Sequence, residues 1–241
     1  MKRSLILALV VLYLFPQNVK SQDDGAAIAA VAGGLLAIGA GIAAVEQMKE
    51  QAELNATEWL LTNHPEYTQF SLKTLDFDGK KLKDMSATSV ITFKIQEFDI
   101  RDDEPELGSK RVLFGFTSFG WINEYGINFD KIQWFLIDSQ EWMNMMMAYT
   151  KVASGVTDEN RLRESLLDGK VVNRGVRARN GENIEFYKID GDMYLVTDYS
   201  PEMKFIYNER SLGIYLKETM NLIQIGRGDL IKIHEFFFED S

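Results

Sequence analysis

The side chains that most often act as bases or nucleophiles are scarce in this sequence of 241 residues. It contains no cysteine and two histidines, His64 and His234. A serine hydrolase triad needs a base, which is usually histidine, and the Gly-x-Ser-x-Gly pattern of a nucleophile elbow does not occur. His64 falls at the end of a predicted helix and His234 in a predicted strand. We therefore interpret both as structural or solvent-facing side chains.

Carboxylates are the remaining groups that could carry acid–base chemistry. Asp190, Asp192 and Glu235 are candidates for a hydrolase or an isomerase. Glycosidase-like chemistry needs two carboxylates on opposite sides of a cleft. Spacing along the sequence does not reveal such a cleft, so this enzyme stays open as an alternative to a binding protein.

Metal and nucleotide sites are not predicted. Without cysteine, a metal would depend on oxygen ligands. The segments that begin at Asp76 and Asp190 resemble the start of a calcium loop, but their twelfth positions hold Ala87 and Pro201 where a bidentate glutamate is required. The glycines of residues 33–41 lack the spacing of a phosphate loop. We expect no metal and no cofactor.

Two short motifs have a binding interpretation and a simpler structural one. Met143, Met146 and Met147 share a predicted helix face, where thioethers could hold Cu(I). Methionine is also an adaptable core residue, and we favour that interpretation. The tripeptide at 227–229, Arg-Gly-Asp, occurs in adhesive ligands, but here it separates two apolar runs, which favours a turn.

The formal charge of −10 narrows the classes of partner. An acidic surface repels phosphate backbones, so we expect no nucleic-acid partner. It also repels anionic lipid, which argues against electrostatic docking on a membrane. We therefore expect a protein partner or a second copy of the chain.

The first 21 residues have the organisation of a cleavable signal peptide. Lys2 and Arg3 precede an apolar run at 5–15, and Pro16 ends it. The run is too short to span a bilayer. Small side chains before Gln22 predict cleavage after Ser21. We expect export, most simply to a bacterial cell envelope, with secretion as the alternative.

Residues 22–64 are predicted to form an apolar segment that continues into an amphipathic helix. Residues 26–45 carry no charge and are rich in alanine and glycine. Such a helix must be buried in lipid or in protein. Every fourth residue is small, a pattern that lets helix backbones approach closely. The predicted association residues are Gly25, Ala29, Gly33, Ala37 and Gly41. We expect self-association or a partner here, with membrane contact as a further expectation.

Residues 65–241 alternate between strand and helix patterns, which favours an α+β fold with an antiparallel sheet and three or four packed helices. Pro65 marks a break, and we expect residues 66–241 to fold without the preceding helix. Strands are predicted around 70–73, 89–98, 112–121, 132–137 and 203–207, and a meander over 171–197. A charged loop is predicted at 99–110 and a last strand at 230–238. Helices are predicted after Asp138, which can cap the first of them, after Thr157 or Asp158, and over 212–223.

Overall fold

The computed structural model describes residues 41–77, 88–101, 104–123, 126–179, 183–191 and 193–239. The predicted signal peptide and the association residues other than Gly41 lie outside these ranges. The described chain forms four helices: α1 (Gly41–Asn63), α2 (Ser139–Ser154), α3 (Glu159–Asp168) and α4 (Arg227–Phe238).

The first sheet is antiparallel and has the strand order β1-β2-β3-β6. Its strands are β1 (Phe70–Asp76), β2 (Val90–Arg101), β3 (Glu104–Thr117) and β6 (Ile132–Ile137). Between β3 and β6 the chain forms a small ladder, β4 (Ile122–Asn123) with β5 (Gly126–Ile127), and a 3-10 turn at Phe129–Lys131.

The second half of the chain builds two further antiparallel sheets. The small sheet consists of β7 (Lys170–Val172), β8 (Gly175–Arg177) and β9 (Asn183–Glu185). The last sheet has the order β10-β11-β12-β13, with β10 (Leu195–Asp198), β11 (Met203–Tyr207), β12 (Ser211–Leu216) and β13 (Asn221–Gly226). The predicted α+β class is confirmed.

Two apolar layers lie on opposite faces of the first sheet, because successive strand residues point to opposite sides. On one face α1 buries Met48, Ala52, Ala56 and Leu60 against the sheet. On the other face the helices α2 and α4, the small sheet and the last sheet share a larger core, in which Phe114 meets Trp142.

The amphipathic half of α1 belongs to this fold. Its four residues Met48, Ala52, Ala56 and Leu60 are at most 1% exposed. Glu53 adds a polar contact, because its Oε1 accepts hydrogen bonds from N and Oγ1 of Thr74 at 2.8 and 2.6 Å. Removing α1 would expose one face of the first sheet. This packing argues against the expectation that residues 66–241 fold alone.

None of the helices in the described part of the chain has the length and apolar character that a membrane span requires.

The predicted cap of α2 at Asp138 is confirmed, and of the two predicted starts of α3, Thr157 and Asp158, the structure has Asp158 as the cap. Asp138 accepts a hydrogen bond from Glu141 N at 2.8 Å, and Asp158 accepts one from Arg161 N at 3.1 Å. Each bond satisfies an amide that has no partner within the helix. Gly155 ends α2 with φ 69°, a left-handed conformation that glycine adopts without strain.

The last two predicted elements are wrong: the predicted helix is a pair of strands, and the predicted strand is a helix. Residues 212–223 form β12 and β13, not a helix. Three of the apolar residues at helical spacing, Leu212, Leu216 and Ile223, are buried positions of two strands, joined by a turn in which Met220 has φ 55°. Residues 230–238 form most of α4, not a strand. Leu230, Ile233, His234 and Phe237 are buried at helical spacing.

Two loop predictions also differ from the structure. The charged segment 99–110 is not a loop but the outer part of a hairpin, in which Asp99 pairs with Glu106 and Arg101 with Glu104. The predicted meander over 171–197 is split. Its first part forms the three strands of the small sheet, whereas β10 leaves it and pairs with β11.

Candidate partner-binding surface

The two histidines have structural surroundings. His64 is partly exposed at the end of α1, and its Nδ1 lies 3.1 Å from Oε1 of Glu66. His234 is 2% exposed on α4. Trp142 Nε1 donates to His234 Nδ1 at 3.3 Å, so the proton of the neutral ring is on Nε2, which donates to Leu166 O at 2.8 Å. Burial lowers the pKa of His234 below its usual 6.5, while the bond to Leu166 acts in the opposite direction.

Two of the candidate carboxylates, Asp190 and Glu235, lie on different elements of the fold. Asp190 is exposed in the segment between β9 and β10, and Glu235 is exposed on α4. Asp192 lies outside the described residues. Within the described ranges, no three histidine or acidic side chains are placed to hold a metal ion.

The methionine and Arg-Gly-Asp motifs both contribute to the core. Met143 and Met146 are 2% and 0% exposed on α2, and Met147 packs beside them. Arg227-Gly228-Asp229 is the first turn of α4, not a loop between strands. Arg227 is 7% exposed, so it is not displayed to solvent as an adhesive motif would be. Of the predicted association residues, Gly41 is the first residue of α1, and the other four lie outside the described residues.

Exposed arginine, tyrosine and methionine side chains concentrate on the small sheet and on the segment that follows it. Tyr187, Met193, Tyr194 and Val196 are 53%, 61%, 51% and 57% exposed. Lys188 lies within the same stretch, and Arg174 and Arg177 are exposed on the small sheet. We call this set the Arg–Tyr surface: Arg174, Arg177, Tyr187, Lys188, Met193, Tyr194 and Val196.

The small sheet forms an open groove of about 930 Å³. Its lining includes Arg174, Arg177, Tyr187 and Lys188. The turn between β7 and β8 requires glycine at position 175, because φ is 144° and an added Cβ would overlap Ile184 O. This tight turn places Arg174 at the end of the hairpin.

The buried side chain of Arg227 holds the backbone that forms the groove. Arg227 donates through NH1 to Asn173 O in the β7–β8 turn, and through NH2 to Glu209 O at 2.9 Å. NH2 also lies 3.3 Å from the hydroxyl of Tyr149 on α2. One guanidinium therefore joins the small sheet, the last sheet and α2.

Aromatic rings complete the support beneath the surface. The guanidinium carbon of Arg227 lies 5.2 Å from the ring centre of Phe186, at a distance typical of a cation–π contact. Phe186 packs against Tyr149 and Tyr207 with ring centres 5.6 and 6.3 Å apart. Burial raises the pKa of Tyr149 to about 12, although the charge of Arg227 lowers it, so the phenol stays neutral. The Arg–Tyr surface therefore rests on a well-packed base.

The other end of the surface follows an edge strand. β10 pairs with β11 from Leu195↔Tyr207 to Asp198↔Lys204, and the described residues provide no second neighbour for β10. Val196 lies opposite Ile206 on the face directed away from the core residues Phe205 and Tyr207. An exposed edge with apolar side chains is a ready template for another segment of chain.

No family model, curated protein or solved structure matches this chain. Sequence reasoning missed the Arg–Tyr surface, although one signal was present: residues 170–188 carry five of the chain's basic residues within 19 positions of an acidic protein. These are Lys170, Arg174, Arg177, Arg179 and Lys188.

Proposed function

We propose that this chain is an exported, non-enzymatic envelope protein that binds a protein partner through the Arg–Tyr surface. The composition of that surface carries the proposal. Interfaces between proteins are enriched in tyrosine, methionine and arginine and depleted in acidic residues. In a chain of formal charge −10, these residue types are exposed on the small sheet and in the segment that leads into β10, with Glu185 as an acidic residue of the same groove.

The packing beneath this surface supports the same function. Residues that contribute most of the binding energy are usually rigid aromatic and arginine side chains. The bond from Tyr187 N to Ala153 O, 2.7 Å long, fixes the backbone at Tyr187. The hydroxyl of Tyr207 donates to Tyr187 O at 2.5 Å. Less conformational entropy is then lost when a partner binds.

The cellular location and a second mode of association, through residues 26–45, are inferred from sequence patterns. The predicted signal peptide at 1–21 supports export, with the bacterial envelope as the proposed location and secretion as the alternative. The small-residue pattern at 26–45 supports self-association and contact with a membrane. The signal peptide and residues 26–40 of the small-residue segment lie outside the described ranges.

The alternative function is a soluble exported hydrolase or isomerase that uses carboxylates. Exposed Asp190 and Glu235 would be its acid–base residues, together with Asp192. The packing of α1 against the first sheet fits this alternative as well, because it makes the helix part of the folded domain. An Asp190→Asn, Glu235→Gln variant separates the two functions, because only the enzyme depends on these carboxylates. Partner binding that is unchanged in this variant would support the binding function.

A peptide library displayed on phage, selected on the immobilised chain, tests the proposed function. We expect enrichment of peptides with acidic and aromatic residues, since these complement arginine and tyrosine. Their binding should be lost on an Arg174→Glu, Arg177→Glu variant.

The matched control is Lys73→Glu with Lys131→Glu, two exposed positions in the half of the chain that holds the first sheet. This control has the same net charge as the test variant, so a general charge effect would weaken both equally. Selected peptides that bind wild type, test variant and control alike would contradict the proposed site.

A further inference from the structure

The main-chain groups of β10 alternate in direction, because residues of an antiparallel pair that exchange hydrogen bonds alternate with residues that do not. Tyr199 N donates to Met203 O at 3.1 Å, in the same register as the pairs between β10 and β11. Thr197 and Leu195, at every second position before Tyr199, therefore direct their main-chain groups toward β11 as well. The residues between them direct theirs to the opposite side.

The hydrogen bonds on the other side of β11 agree with this assignment. Lys217 N donates to Glu202 O at 2.9 Å, in register with the pairs between β11 and β12. Even-numbered residues along β11 thus bond to β12, which leaves the odd-numbered ones for β10. The N–H groups of Val196 and Asp198 therefore lie on a free edge, since β10 has no second neighbouring strand within the described ranges.

A pocket of about 410 Å³ lies between β10 and the helices α2 and α3. This volume is in the range of sites that hold a small group. Thr197 lines the pocket from β10. It is opposite buried Phe205, so its side chain is on the core side of the sheet. The apolar lining comes from both helices: Met147, Ala148, Val152 and Leu162.

The charged side chains that line the pocket are Lys151, Glu159 and Arg163. Lys151 Nζ lies 3.2 Å from Oε1 of Glu159, so these two charges offset each other. Arg163 makes no ion pair with another residue of the described chain. The pocket therefore suits an apolar side chain that has a carboxylate near it.

We propose that an extended segment of a protein partner adds to β10 as a fifth strand of the last sheet. The inference rests on the proposed function, because Val196 belongs to the Arg–Tyr surface, and it states how the partner is held there. Hydrogen bonds with the main chain at Val196 and Asp198 provide affinity. In this mode of recognition, pockets for alternate side chains provide specificity.

The side chains of the added strand follow from the same alternation. Thr197 bonds to β11, so the partner residue opposite Thr197 forms a non-hydrogen-bonded pair with it, in which side chains are closest. That residue lies on the core side of the sheet and enters the pocket. We expect it to be apolar. An acidic residue two positions away lies on the same side of the strand and meets Arg163.

N-methylation of a bound peptide tests the added strand on the unmodified chain. The probe is a peptide selected on wild type from the phage library and synthesised with one N-methyl group at a time. Only every second N–H of an added strand points to β10. Calorimetric titration should show binding weakened about tenfold at alternate residues, where a hydrogen bond is lost, and by less than about threefold at the residues between them. Effects without this alternation would overturn the proposal.

A proline at position 196 tests the same hydrogen bond from the side of the chain. It removes the free N–H but no bond to β11, and edge strands accept proline at such positions. Val196→Pro should weaken binding of the unmethylated peptide about tenfold. Val196→Thr keeps the N–H and a branched side chain, so it should bind within about threefold of wild type. Equal binding by the two variants would contradict the added strand, and if Val196→Pro does not fold, the methylated peptides decide.

Reversal of one charge tests the pocket. Arg163→Glu should weaken binding of a peptide with an acidic residue about tenfold. Arg161→Glu is the matched control, since it lies on the same helix outside the pocket lining and gives the same formal charge of −12, two below −10. Losses of equal size in the two variants would mean that the partner does not reach the pocket.

The Arg174→Glu, Arg177→Glu variant distinguishes failure of this inference from failure of the proposed function. Peptides that lose binding there but bind Val196→Pro like wild type would overturn the added strand and leave the proposed function standing. Peptides that bind the arginine variant like wild type but lose binding on Val196→Pro would support the strand and contradict the role of the two arginines. A library that yields no binding peptide would contradict both.

Discussion

Arg227 donates hydrogen bonds to backbone oxygens in two turns that are 36 residues apart in sequence, at Asn173 and Glu209. Its side chain is 7% exposed and its Nε has no hydrogen-bond partner among the described atoms. A buried charge is costly unless hydrogen bonds compensate it. Here backbone carbonyls, the Tyr149 hydroxyl and the Phe186 ring supply the compensation.

Replacing Arg227 with methionine should destabilise the fold by about 3 kcal/mol, because each buried acceptor that loses its donor costs about 1–3 kcal/mol. Urea unfolding measures the change. Lys232→Met is the matched control, since Lys232 lies on the same helix with its ammonium group exposed beside Asp229. A loss no larger than that of the control would mean that Arg227 does not join the two sheets.

His234 makes the stability of α4 depend on pH. Its folded-state pKa is lowered, so the unfolded chain takes up a proton at a higher pH than the folded chain does. The free energy of unfolding is therefore at its full value above pH 6.5 and decreases as the pH falls toward the folded-state pKa. Glu239 acts against this shift.

A His234→Gln variant should lose this part of the pH dependence, because an amide can accept from Trp142 and donate to Leu166 without titrating. Urea unfolding between about pH 7 and pH 5 measures it, a range in which an unperturbed histidine titrates. His64→Gln is the control and should keep the wild-type slope. If the dependence of the free energy of unfolding on pH disappears in His64→Gln but persists in His234→Gln, the effect does not come from His234.

Among the elements of the fold, α1 differs most from the role that the sequence predicted for it. Sequence reasoning separated it from the domain at Pro65, but its buried stripe covers the first sheet. Leu60→Ala should cost about 3 kcal/mol, as for other buried leucines. Leu61→Ala should cost less than about 1 kcal/mol, because Leu61 is 49% exposed.

The two leucines are adjacent in one helix, so the change in helix propensity is the same in both variants. Thermal unfolding of the two proteins compares only the burial of the side chain. Equal and small losses would mean that α1 is an appendage of the domain and that residues 66–241 fold without it.

Elements with local signals were predicted well from the sequence. The caps at Asp138 and Asp158 bond to the amide three residues later, a pattern that is visible in the residue types alone. Residues 212–223 were predicted wrongly because strand and helix spacings coincide over short runs. Leu212, Leu216 and Ile223 satisfy a helical pattern, yet pairing with β11 and between β12 and β13 decides their structure.

The Arg–Tyr surface could not be assembled from sequence for a related reason. Arg174 and Tyr187 are brought near each other by the pairing of β8 with β9, and Arg227 reaches the same turn from 54 residues away. Hydrophobic periodicity carries no information on such distant contacts. For the same reason residues 99–110 were predicted as a loop, because their charged side chains gave no sign that β2 and β3 pair there.

At the scale of the whole molecule, two modes of association are expected, and they differ in their dependence on charge. Binding of a partner through the basic residues of the Arg–Tyr surface is electrostatic and should weaken with salt. Association through the small-residue pattern at 26–45 depends on close approach of helix backbones and should not. Peptide binding to the Arg–Tyr surface and sedimentation of the wild type, each at low and high salt, therefore separate the two modes.

Substitution of Gly33 by leucine tests the second mode. It makes residues 26–45 more hydrophobic while it blocks close approach of another helix, so we expect the salt-resistant oligomer to be lost. Ala32→Leu is the matched control, since it adds leucine at the neighbouring position outside the pattern. Stronger membrane retention or an unchanged oligomer in Gly33→Leu would mean that hydrophobicity alone drives association.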